Sequence, residues 1–132
     1  MKKELAKYHI ELIRPGLVFI QVKDGVHIEK EDVIEVNKIN LEWCGETGYF
    51  AVLCSGRNTT ISDDAKELTA NPLFSKKRLG FAMVVHSLPQ RLIGNFFIKL
   101  NRPIAPTKVF NSKEDAFKWV EGLMTKHPVF NQ

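Results

Sequence analysis

Tyr49-Phe-Ala-Val-Leu-Cys-Ser55 is the stretch whose reading decides the fold. Its first six side chains are apolar with no polar alternation, and Gly48 and Gly56 bound it. A strand with one solvated face alternates; an unbroken apolar run is the pattern of a strand covered on both faces, as in parallel sheets. Leu79-Gly-Phe-Ala-Met-Val-Val-His86 repeats the pattern downstream. Between the two lies a polar loop, Gly56-Arg-Asn-Thr-Thr60, and then a helix opening with Asp63-Asp64 and running through Leu68. Thr60 or Ser62 can cap that helix, and Pro72 weakens its end.

Upstream, residues 29–44 read as a helix. Glu29, Glu31 and Asp32 fall in its first turn, where the helix dipole favours anions. Val33, Ile34, Val36, Ile39, Leu41 and Trp43 cover a broad arc, and Asn37 and Asn40 project from that apolar side. Gly45 or Gly48 can close the helix. Before it, residues 8–14 and 17–22 form a hairpin across Pro15-Gly16, a pair suited to a type II turn. After His86, Leu88, Leu92, Phe96 and Leu100 form an i, i+4 ladder on a helix from about Pro89 to Leu100, widened by Ile93 and Phe97. Asn101-Arg-Pro103 ends it. Thr107–Phe110 is a short strand. Ser112-Lys-Glu-Asp115 resembles a capping box, and the last helix runs to about Met124 with Ala116, Phe117, Trp119, Val120 and Leu123. The order is β-β-α-β-α-β-α-β-α. It predicts an α/β fold: a single-layer, mixed, mostly parallel five-stranded sheet with helices packed on it.

The chain has 132 residues, one domain's worth at about 100–200 residues per domain, so residues 1–132 are expected to form one domain. Hydrophobic residues make up 44% and charged residues 26%, which excludes disorder and coiled coil. No apolar run approaches the roughly 20 residues that span a bilayer. Two lysines near the start precede no apolar segment, so no export signal is read and a cytoplasmic location is expected. Cys44 and Cys54 form no CxxC pair and are expected to be reduced thiols. The four histidines, His9, His27, His86 and His127, have no metal-ligand spacing, so neither metal nor cofactor is expected.

Charge is unevenly spread. Residues 1–67 hold 9 basic and 12 acidic side chains; residues 68–132 hold 10 basic and 3 acidic. Residues 68–113 contain no carboxylate. Lys76, Lys77, Arg78, Arg91, Lys99 and Arg102 therefore form a candidate surface for an anion or an acidic partner. Two ordinary solvated faces would give the same counts. The basic half alone does not indicate nucleic acid, because no helix-turn-helix, zinc finger or RNP-like aromatic motif accompanies it.

No catalytic constellation stands out. Ser55-Gly56 lacks the Gly-x-Ser-x-Gly setting of a nucleophile elbow. Gly80 and Gly94 belong to neither GxGxxG nor GxxxxGK[ST]. Asp63-Asp64 is an ordinary complement to a helix dipole.

Four segments carry a resemblance. They are Arg78-Leu-Gly-Phe-Ala-Met-Val-Val-His-Ser87, Gln90-Arg-Leu-Ile-Gly-Asn-Phe-Phe97, Pro106-Thr-Lys-Val-Phe110 and Glu114-Asp-Ala-Phe-Lys-Trp-Val120. In this order they resemble the SpoIIAA-like group of the STAS/SEC14-type superfamily. The resemblance implies the sheet and helices already read, and no catalytic residue. It also implies kinship with anti-sigma-factor antagonists, which bind a kinase partner and carry a phosphorylatable serine before a helix, and with lipid-transfer domains of the same fold. The Asp-Ser-[SA]-Gly phosphoserine motif is absent; the matching loop reads Ser55-Gly-Arg-Asn-Thr-Thr-Ile-Ser-Asp-Asp64. Thr59, Thr60 and Ser62, beside a helix start, are the candidate phosphoacceptors.

These readings favour a non-enzymatic regulatory or protein-interaction domain with a protein partner. The alternative is a binder of a small apolar or anionic ligand through the helix 88–100. The apolar arc of that helix exceeds what one sheet face needs. Phe96, Phe97 and Ile98 are therefore expected to contact a ligand or a second subunit, and a homodimer is expected.

Overall fold

The computed structural model describes residues 1–101 and 105–130, and within helix 88–101 the side chains of all but Phe97, Leu100 and Asn101. Among the described residues, eight strands and four helices follow one another as β1 (Lys2–Glu4), β2 (Tyr8–Arg14), β3 (Leu17–Val22), β4 (His27–Ile28), α1 (Lys30–Cys44), β5 (Tyr49–Cys54), β6 (Thr60–Ile61), α2 (Asp63–Ala70), β7 (Arg78–Val84), α3 (Leu88–Asn101), β8 (Thr107–Phe110) and α4 (Lys113–Lys126). The main sheet runs β1-β2-β3-β5-β7-β8. Its first two pairings are antiparallel and its last three parallel. The architecture is the one expected, with a sixth strand at the edge. That strand, β1, is Lys2-Lys-Glu4, exposed throughout, and carries no apolar pattern from which to read it. A separate parallel ladder joins β4 to β6.

The alternation that β5 and β7 lack in sequence appears in space as two cores. Leu17, Phe19, Phe50, Val52, Cys54, Ala82 and Val84 face α4, which contributes Ala116, Val120 and Met124. Tyr8, Ile10, Val18, Ile20, Ala51 and Phe81 face the other way, toward Ile39 and Cys44 of α1. Trp119 is only partly buried, at the margin of the first core, where its ring lies 5.6 Å from that of Phe110. The two thiols sit in different cores, both buried and free, and burial pushes each above the usual thiol range.

Local signals behave as their chemistry requires. Gly16 has φ +83°, supplying the left-handed position of the Pro15-Gly16 turn. Ser62 Oγ accepts from Ala65 N at 3.1 Å to start α2, and Ser112 Oγ accepts from Asp115 N at 3.3 Å to start α4. At α3, Ser87 Oγ accepts from Gln90 N while Gln90 Oε1 accepts from His86 N.

Candidate functional site

The second core is not filled. Between the sheet and helices α1, α2 and α3 lies a cavity of about 220 Å3. The space is partly open to solvent, a cleft and not an enclosed void. Small residues stand where the elements meet. Ala51 lies on the floor, Gly94 lies on the inner side of α3, and α2 buries only Ala65 and Ala70. A Cβ on Gly94 would come within 2.9 Å of Val109, so the glycine lets α3 settle on β8. The remaining lining is largely apolar: Ile20, Val36, Leu53, Phe81, Met83 and Ile93 among others.

Three polar side chains face this space close to one another. Asn40, 3% exposed on α1, has an Oδ1 atom with no hydrogen-bond partner. Tyr49 begins β5. Burial pushes its phenol up, while the Arg78 charge and the Asn40 amide pull it partly back. Arg78 begins β7; its Nη2 donates to the Thr69 carbonyl at 3.0 Å, and its guanidinium lies 4.3 Å from the centre of the Phe81 ring. Burial lowers its proton affinity, and among the described residues it forms no ion pair. By its exposed surface Arg78 is half-buried, so this uncompensated guanidinium keeps some contact with water.

A register shift brings Arg78 here. Tyr49 pairs with Arg78 and Phe50 with Gly80, so Leu79 is an extra residue on β7. Leu79 packs with the α4 core, and a Cβ on Gly80 would lie 2.6 Å from Phe50 of that core. Two consecutive residues thus face one side. Arg78 takes the opposite side, with Phe81, where strict alternation would have put it under α4.

The six basic residues expected to share a surface have these settings. Arg78 lines the cavity, Lys76 and Lys99 are exposed, and Lys77 is half-buried. Arg91 donates to Asn111 Oδ1, and Arg102 lies outside the described residues. The three hydroxyls near α2 are engaged locally. Thr59 Oγ1 donates to the Gly56 carbonyl at 3.1 Å, Thr60 Oγ1 is 2.7 Å from His27 Nδ1, and Ser62 caps α2. On α3 the cavity is lined by Gln90, Ile93 and Gly94, not by Phe96 or Ile98. The Phe97 side chain lies outside the described part. Leu88, Leu92 and Phe96 form an outward row, 68%, 59% and 60% exposed. Among the described residues no group of three or more His, Cys, Asp or Glu could hold a metal ion, and no helix is long and apolar enough to cross a membrane.

Asn40 had a signal in sequence, a polar residue on an apolar helix side. Arg78 was visible only as one of a basic group. Tyr49 had no signal beyond opening a buried strand.

Among curated proteins none matches this chain. A solved structure that is similar is an uncharacterised protein of the DUF3478 family with a SpoIIAA-like fold, from Shewanella loihica PV-4. It is 15% identical, with a TM-score of 0.65, covering 91% of this chain and 98% of its own. That likeness establishes the SpoIIAA-like fold. The model of a domain of unknown function, DUF7793, matches residues 11–124, and the chain belongs to that family.

Proposed function

We propose that this protein is a non-enzymatic binding domain that takes a small molecule between its sheet and helices α1–α3. The single observation that carries this reading is the cavity of about 220 Å3, largely apolar but with Asn40, Tyr49 and Arg78 gathered on its wall. Ligand sites are concave and mostly apolar, with a few polar groups that fix orientation. A cavity of about 150 Å3 lined by aliphatic and aromatic side chains already takes benzene, so the space is adequate for a molecule somewhat larger. The regulatory, protein-interaction reading has less support, because Thr59, Thr60 and Ser62 are already committed to turn, cross-strand and capping contacts.

The test is to fill the space. Ala51 lines the floor and is buried, so Ala51→Leu puts three further carbons into the cavity. Calorimetric titration with 1-octanol, a neutral apolar probe, is expected to give saturable binding to the parent protein and none to Ala51→Leu. The variant's urea midpoint is expected to be unchanged or higher, as cavity-filling substitutions often give. Absence of binding to the parent, or equal binding to both, removes the cavity as the site.

A further inference from the structure

The cavity wall carries three charged side chains: Asp32 is paired with Lys7 and Lys66 with Asp63, while Arg78 has no ion pair among the described residues. Arg78 has five N–H donors in a planar fork. One meets the Thr69 carbonyl, and among the described residues no other side chain or carbonyl accepts from it. Its other close contact is the face of Phe81, which attracts a cation but accepts no pair of parallel hydrogen bonds. The register shift at Leu79 is what turns this side chain into the cavity. Asn40 Oδ1 is buried on α1 without a partner; as an acceptor it calls for a donor and does not itself bind an anion.

We infer that the ligand is an organic monoanion, a carboxylate on a short apolar body, with its carboxylate gripped by Arg78 beside Tyr49 and its body among Ile20, Leu53 and Met83. Resting on the proposal that the cavity is a binding site, this inference names the chemical class of its occupant. The fork geometry of a guanidinium matches a carboxylate through two parallel bonds. One guanidinium balances one negative charge. A phosphate monoester carries about −1.5 to −2 at neutral pH and would bury the excess. The cavity volume sets the body at roughly ten heavy atoms, somewhat above benzene in a 150 Å3 space.

The experiment compares three probes with the same chain length: octanoate, 1-octanol and octylammonium. Titration calorimetry at neutral pH with the parent protein is expected to rank octanoate at least about tenfold tighter than octanol, with octylammonium unbound. Charge-assisted hydrogen bonds contribute enough for such a ratio. In Arg78→Met the advantage of octanoate over octanol is expected to vanish while octanol binding stays. In Arg78→Lys, which keeps the charge but not the fork, a reduced advantage is expected. Equal affinity for octanoate and octanol in the parent protein overturns the monoanion assignment and leaves the cavity reading standing. No binding of any probe overturns both. The parent ranking decides even where a variant does not fold.

Discussion

Leu79 has no partner of its own on β5, and that one unpaired residue governs much of the chemistry here. It lets Arg78 and Phe81 share the cavity side while Leu79 and Gly80 share the other. Gly80 is the residue that makes the doubled side fit. A Cβ there would meet Phe50 Cδ2 at 2.6 Å and Leu123 Cδ1 at 3.4 Å, both in the α4 core. Phe50 is buried against His127 and Phe130, so its ring has little room to retreat. We expect Gly80→Ala to lower stability by about 1–3 kcal/mol, the usual cost of overpacking a core. Urea unfolding checks this, and an unchanged midpoint would show that Phe50 moves freely. Sequence displayed Gly80 only as a glycine inside an apolar strand. That it stands next to an extra residue is a matter of register with β5, which no local pattern carries.

Helix starts are the elements that sequence describes best, because their signals lie within four residues. Ser62 and Ser112 cap α2 and α4 as their positions imply. In α1, Asp32 reaches back to the Glu29 amide at 2.8 Å, and Lys7 Nζ lies 2.7 Å from the same carboxylate. We expect Ser112→Ala to cost about 1 kcal/mol, since the Asp115 amide would lose its acceptor. The check is the shift in urea midpoint relative to Ser112→Gly, which is expected to cost only a few tenths. An unchanged midpoint in Ser112→Ala would mean that the hydroxyl contributes no cap. Helix α3 gives the contrasting lesson. Its wide apolar arc predicts burial on several sides; among its described side chains, Gln90, Ile93 and Gly94 line the cavity and Leu88, Leu92 and Phe96 are exposed. Periodicity identifies an apolar side of a helix but not which part of it another element will cover.

At the scale of the whole molecule, the two tyrosines of the chain report on the second core. Tyr8 and Tyr49 are both buried there. Burial raises the pKa of each; at Tyr8 the hydrogen bond to Glu35 and that carboxylate's charge raise it further. A group whose folded-state pKa is raised keeps its full contribution below the unfolded value, about 10 for tyrosine, and loses it as pH climbs toward the folded value. We therefore expect a urea midpoint that falls above about pH 10. Tyrosinate absorbance should appear together with unfolding and not before it. Replacing both residues with Phe should flatten that fall. Tyrosinate forming at about pH 10 in the folded protein would place the phenols in water.

By itself the sequence determined the order of elements, the parallel run through β3, β5, β7 and β8, the helix caps and the Pro15-Gly16 turn, because each depends on neighbours along the chain. Strands β1, β4 and β6 were outside its reach. They are two or three residues long, and only a partner strand makes them strands. Tertiary structure alone decided that Asn40, Tyr49 and Arg78, from three separate elements, meet at one wall. It also decided that the space before them stays open. The physical reason is that a cavity is a property of what distant elements leave unfilled when they pack around a small residue such as Ala51, and no segment contains that information.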